Sequence, residues 1–149
     1  MSDFLLCATI LLMRKLYVGC SLTQAPKDFV EKIENLKTQL RLEWEVLDFI
    51  GLKNGTATDV YKWDIHRCIA NCDIFVAICD FPAIGLGYEM AAAIEKYGKP
   101  TLGLVHEDSK VSRLVIGIDN PVYTLVKYRD FDEIPEIIRV KEKKHFETI

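Results

Sequence analysis

The sequence predicts an α/β protein with a doubly wound, five-stranded parallel sheet and helices on both faces. Three observations predict it. Five short apolar runs recur along the chain, and stretches of helical spacing separate them. The runs are nearly continuous in apolar residues, as strands buried on both faces are, rather than alternating. The chain has 149 residues, 50% hydrophobic and 28% charged, which bounds it to one globular domain able to bury a core without staples.

The elements follow in order. "KLYVGC" (15–20) is the first strand. Residues 26–42 form a helix, because Phe29, Ile33, Leu36 and Leu40 fall on one face at spacings of four and three. "WEVLDFI" (44–50) is the second strand. Residues 58–72 read as a helix carrying Val60, Trp63, Cys68, Ile69 and Cys72, with Asp59 as its cap. "DIFVAIC" (73–79) is the third strand, opened by Asp73, and an Ala-rich helix spans 87–97. "PTLGLV" (100–105) is the fourth strand, a short helix covers 109–117, and "VYTLVKY" (122–128) is the fifth strand. A terminal helix runs over 132–144 with Pro135 near its start, where a missing N–H costs nothing.

Alternating strands and helices give a parallel sheet, and five strands of this kind favour a flavodoxin-like order. In such sheets ligands bind beyond the carboxyl ends of the strands, where strand order reverses. The informative residues therefore follow strands: Gly19 to Ser21, Asp80 to Glu89, and His106 to Ser112.

Charge and cysteines exclude several classes. The net charge is −3, with no basic run before the C-terminal KEKK, which argues against a broad nucleic-acid face. Five cysteines at these spacings do not form a secreted disulfide framework. His66, Cys68 and Cys72 lack a second ligand pair, so the two cysteines read as buried thiols, and no metal or other cofactor is expected. "FLLCATILLM" (4–13) is too short to span a bilayer as a helix, and its positive charges follow the apolar run instead of preceding it. Residues 1–12 read as an extension outside the core domain (13–149), with Met13 a candidate natural start, in a cytoplasmic protein.

The chemistry candidates centre on "GLGYEM" (85–90). It is not a dinucleotide fingerprint, because Met90 stands where the third glycine belongs, and the P-loop Lys and Ser/Thr are absent. Gly85 and Gly87 then mark a tight turn at which a backbone approaches a ligand. Glu89 falls in the first helical turn, where the dipole favours a carboxylate and keeps it ionised. Two readings stand: a helix-start residue, or an oriented carboxylate for attack on a sugar carbon. Asp64 is either a solvated helix-face carboxylate or a second acid of the site. Tyr17 is either core or a phenol that donates to a carboxylate. No G-x-S-x-G occurs, the three His show no triad pattern, and no His is spaced to activate Cys79.

These pieces match a family. Y-x-x-x-S in the first strand (Tyr17, Ser21), D-(x8)-D entering the third (Asp64, Asp73), "GLGYE" and then "GKP" (98–100) resemble the nucleoside 2-deoxyribosyltransferase superfamily. That superfamily includes nucleoside transferases and 2′-deoxynucleoside 5′-monophosphate N-hydrolases. The likeness covers residues 15–130. It implies a flavodoxin-like fold, a homodimer or larger assembly with shared active sites, and cleavage of an N-glycosidic bond. Glu89 is then the nucleophile, Asp64 the acid that handles the sugar and the departing base, and Tyr17 the phenol that holds the nucleophile. Gly19, Asp80, Gly85 and Gly87 would contact substrate. Ser21 and Ser112 match hydroxyls on the 5′-phosphate, the latter reaching across from a neighbouring subunit. Water as acceptor gives hydrolysis, and a second base gives transfer. A nucleotide-binding module without turnover is the alternative of another class.

The chain departs from the pattern at three places. "SLTQAP" (21–26) stands where the monophosphate hydrolases carry a Gly-Gly-Arg-like loop. Ala83 replaces the Ser of the hydrolases and the Asp of the transferases. Gly19-Cys20 has the opposite order.

Overall fold

A computed structural model describes residues 13–49 and 55–147. Five strands, β1 (Lys15–Cys20), β2 (Glu45–Leu47), β3 (Ile74–Ile78), β4 (Thr101–His106) and β5 (Tyr123–Tyr128), form one sheet in the order β2-β1-β3-β4-β5. Every pairing is parallel. This is the doubly wound, flavodoxin-like order, with its reversal point between β1 and β3. The sequence-predicted extension, residues 1–12, lies outside the described residues.

The helices are α1 (Lys27–Leu40), α2 (Ala57–Tyr61), α3 (Ile84–Ala91), α4 (Arg113–Ile116) and α5 (Ile134–Phe146). α2 continues as a π-helical stretch, Lys62–Ile69, and α3 continues as another, Ala92–Lys96. Local sequence sets their ends. Thr56 and Asp59 form a capping box at the start of α2, with Asp59 N–H to Thr56 Oγ1 at 3.1 Å and Thr56 N–H to Asp59 Oδ2 at 2.8 Å. Gly98 sits at φ +57° just past the α3 unit, a conformation that L side chains rarely adopt, so "GKP" stops the helix and launches β4. Pro135 occupies the first turn of α5.

The period-2 alternation of the strands divides the core in two. Leu16, Val18, Ile74, Val76 and Ile78 face α1 and α5, packing with Ile33, Leu36, Ile134 and Ile138. Tyr17, Phe75 and Ala77 point the other way, toward Ile65, Ile69, Met90 and Ala93 of the α2 and α3 units. Each large apolar side chain fully buried here contributes about 1.5–3 kcal/mol.

Several boundaries differ from the sequence-based expectation. β2 is three residues long instead of seven. Trp44, expected in it, is instead buried, and its indole N–H donates to Glu142 of α5 at 2.6 Å. The helix after β4 is a four-residue turn, not 109–117. The largest difference concerns α3, which begins at Ile84 and not at residue 87. Gly85 and Gly87 are therefore helical, and neither has a positive φ. No tight turn exists at "GLG".

Candidate active site

Tyr17, Asp64 and Glu89 come from three different elements and line one chamber. Tyr17 is on β1 and 1% exposed, with its ring stacked on Phe75 at 5.5 Å. Asp64 lies in the π-helical stretch after α2, and Glu89 in the second turn of α3. The chamber holds about 140 Å³ and is walled also by Gly19, Phe49 and Val60. Gly19 is required by contact: a Cβ there would meet Phe75 at 3.0 Å and Leu86 at 3.1 Å. Its absence lets α3 lie close on β1, which brings Glu89 over Tyr17.

The Tyr17 phenol hydrogen-bonds the Glu89 carboxylate. The Oε2 atom of Glu89 is buried and makes no hydrogen bond. Burial is the main influence on its acidity, opposed by the Tyr17 hydrogen bond, reinforced by the charge of Asp64 and opposed again by Lys37; the balance pushes the carboxyl up to about 7. The sequence-based expectation of a dipole-held ion is thus corrected. Glu89 sits one turn too far into the helix for the terminal dipole, and desolvation dominates. Burial first, then the charges of Glu89 and Asp64, raise the Tyr17 phenol well above its ordinary value, so it remains a donor.

Two larger cavities lie nearby, and one of them adjoins the chamber. One of about 470 Å³ lies between the loop after β1 (Leu22, Thr23, Gln24) and the start of α3 (Pro82 to Leu86). It shares Cys20, Leu22 and Glu89 with the chamber, so the carboxylate stands at their junction. Its volume falls in the range of small-molecule sites. The other, about 350 Å³, is mainly apolar and is lined by Phe81, Gly87, Met90, Lys110, Val111 and Ser112. The two share Pro82, Ala83, Ile84 and Leu86.

The remaining predicted site residues divide. Gly85 lines the 470 Å³ cavity, while Gly87 and Ser112 line the 350 Å³ one. Ser112 is exposed and caps α4, accepting from Val115 N–H at 3.3 Å. Ser21 is wholly buried and lines none of the three cavities; its hydroxyl donates to Pro82 C=O at 3.3 Å and accepts from Gln24 N–H at 3.3 Å. It ties the β1 loop to the β3 loop and so shapes the mouth. Asp80 is likewise engaged, accepting His106 N–H at 2.8 Å and the Tyr128 hydroxyl, which ties the ends of β3, β4 and β5. Cys79 is buried and its thiol is pushed up to about 12 by desolvation and then Asp80, the opposite of nucleophile activation. The Cys68 and Cys72 thiols donate to the carbonyls of Asp48 and Ile69.

Sequence reasoning missed Phe49 and Val60 as walls, and also Lys37. Periodicity cannot show which apolar side chains border a void. Lys37 did leave a signal, since it lies four residues after Ile33 and three before Leu40, on the buried stripe of α1.

No family model matches the chain. It is 36% identical over 97 residues to a Syntrophotalea carbinolica protein named "Putative 2'-deoxynucleoside 5'-phosphate N-hydrolase 1", covering 64% of each. It is 33% identical over 92 residues to a Thermofilum pendens protein of the same name, covering 60% of this chain and 63% of that one. The matches thus span less than two thirds of the length of these curated relatives. In fold it is similar to the Clostridium botulinum CMP N-glycosidase, with a TM-score of 0.65 and 20% identity, over 85% of this chain and 99% of the other. No helix among the described residues is long and apolar enough to cross a membrane. Over part of its length the chain is thus similar to two proteins named as putative 2'-deoxynucleoside 5'-phosphate N-hydrolases, and its fold is similar to that of a CMP N-glycosidase.

Proposed function

We propose that the protein is an N-glycosidase that cleaves the base–sugar bond of a nucleoside 5′-monophosphate through a glycosyl-enzyme on Glu89. The observation that carries this reading is the buried Glu89 carboxylate, held by Tyr17 beside Asp64 at the junction of two cavities. In the first step a Glu89 oxygen bonds to the anomeric carbon as the C–N bond breaks. The base leaves with the bonding pair and takes a proton delivered through Asp64. In the second step water attacks the same carbon and gives a proton to Asp64, the ester bond breaks, and Glu89 leaves as carboxylate. Both transition states are oxocarbenium-like, so two modest barriers replace one high one. The names of the relatives support the substrate class. Transfer to a second base is the runner-up chemistry, because the intermediate is the same.

A panel of ribo- and deoxynucleosides and their 5′-monophosphates, scanned for free base, tests the reading. Adding a second free base separates hydrolysis from transfer by the appearance of a new nucleoside. Tight binding without base release from any member would leave a binding module instead.

The raised pKa of Glu89 gives a pH test. A nucleophile must be ionised, so kcat/KM should rise with pH along an acid limb near 7 and level off above it. A rate that falls through the same range would make Glu89 a general acid.

We further propose a homo-oligomer in which Ser112 serves a neighbouring subunit's site. Ile84 is 96% exposed and Leu114 81% exposed, flanking the 350 Å³ cavity, and a second copy would cover them. Ser112→Ala is expected to raise KM for a monophosphate about five- to thirtyfold more than for the matching nucleoside, the scale of one hydrogen bond to a charged group. Loss of the α4 cap affects both substrates alike, so the ratio isolates the phosphate. Mixing Glu89→Gln and Ser112→Ala chains should restore activity above either parent if sites are shared. No recovery in confirmed mixed dimers would place both residues in one chain's site.

A further inference from the structure

Lys37 is a lysine with 1% exposure, and it is not accounted for by packing alone. It belongs to α1, whose apolar stripe packs on one face of the sheet. Its ammonium lies 4.2 Å from the centre of the Phe49 ring, which packs with the core on the other face. The contact is made where the sheet ends: β2 pairing stops at Tyr17–Leu47, while β1 continues to Cys20. Phe49 is also a wall of the chamber that holds Tyr17, Asp64 and Glu89. A buried cation thus stands one aromatic ring behind a chamber whose acidic side chains are both carboxylates. In such a setting charge is weakly screened, and its influence extends beyond contact distance.

We propose that Lys37 is a positioning residue that favours the ionised form of Glu89 and keeps Phe49 as the chamber wall. The inference rests on Glu89 being the nucleophile of the proposed reaction. The groups that act on Glu89 come from three elements around it: Tyr17 from β1, Asp64 from the π-helical stretch after α2, and Lys37 from α1, while the Cys20 and Cys68 thiols are themselves raised by the Glu89 charge. Among these Lys37 is the cation. Its charge works on Cys20 in the same sense as on Glu89, lowering both. Tyr17 helps the carboxylate through a hydrogen bond, whereas Asp64 opposes its ionisation. Lys37 therefore offsets part of the cost of keeping two carboxylates in one chamber.

Lys37 can be neutralised without stranding a partner. Its ion pairs are with Glu34 at 3.2 Å and Asp48 at 3.8 Å. Asp48 also holds Arg41 at 2.7 Å, and the Glu34 side chain is 53% exposed. Lys37→Met keeps the stem, Lys37→Gln is a second neutral variant, and Lys37→Arg keeps the charge.

The test is the titration of the Glu89 carboxyl followed by NMR on glutamate-labelled protein, with the resonance assigned by its loss in Glu89→Gln. The midpoint should rise by about half a unit in Lys37→Met and Lys37→Gln, and stay within about 0.2 units of wild type in Lys37→Arg. The rate on the substrate found by the base-release panel should then fall about threefold at pH values below the acid limb and little above it. An unmoved midpoint in either folded neutral variant overturns the proposal, as does a rate loss equal at all pH values with no change in midpoint. A midpoint that moves while the acid limb of the rate stays in place supports the Lys37–Glu89 coupling and removes the nucleophile assignment instead, so the two failures are distinct.

Discussion

Glu89→Gln is expected to lower kcat/KM by at least about a hundredfold, a loss of nearly 3 kcal/mol of transition-state stabilisation. The amide matches the carboxylate in shape and still accepts from Tyr17, but it cannot form the ester to the anomeric carbon. The same change should stabilise the fold, and the sign follows from linkage. The Glu89 carboxyl is raised from 4.5 to about 7 on folding, so folding favours its protonated form. That contribution is fully present below pH 4.5 and is lost as pH rises through 7. Above that, wild type carries a buried carboxylate at a cost of about 3 kcal/mol, which the glutamine variant avoids. Urea unfolding at pH 5 and pH 8 should show the variant gaining on wild type mainly at pH 8. Unchanged turnover would remove the nucleophile role, and an equal stability difference at both pH values would remove the buried-charge account.

Tyr17→Phe carries the second-largest expected effect. The ring is stacked on Phe75 and 1% exposed, so phenylalanine keeps the packing and loses only the hydroxyl. Two consequences follow from the same bond. Glu89 loses the donor that orients it, and it loses an influence that lowers its pKa. The expected result is a kcat reduced about tenfold or more with KM nearly unchanged, and an acid limb displaced to higher pH. Stability should fall by about 1–3 kcal/mol at pH 8, because the buried carboxylate is left without its donor, and by less at pH 5, where the carboxyl is protonated. A lower melting temperature with turnover and pH profile intact would make Tyr17 a core residue only.

The first experiment also tests what the two proposed chemistries share. Hydrolysis and transfer pass through one glycosyl-enzyme, so both activities must fall together in Glu89→Gln. A variant that lost transfer alone would place the acceptor base, not the nucleophile, beside residue 89.

The sequence by itself determined the architecture. Five continuous apolar runs and the 3–4 spacing of Phe29, Ile33, Leu36 and Leu40 specify local periods, and a parallel sheet follows from their alternation. Motif order likewise selected Tyr17, Asp64 and Glu89 before their proximity was visible. What only the tertiary structure decided depends on contacts distant in sequence. The start of α3 moved three residues because no side chain in "FPAIG" forces a stop, and Ala83 enters the helix from extended backbone without a side-chain cap. That shift took Glu89 away from the terminal dipole and into a desolvated chamber, which reversed the expectation about its ionisation. Ser21 and Asp80 read as free ligands in one dimension, yet Pro82, His106 and Tyr128 take their hydrogen bonds in three. Lys37 and Phe49 meet only because β2 ends early, and no local pattern encodes where a strand loses its neighbour. Periodicity fixes which face of an element is buried; the fold decides what stands opposite, and hence the charge state of the groups enclosed there.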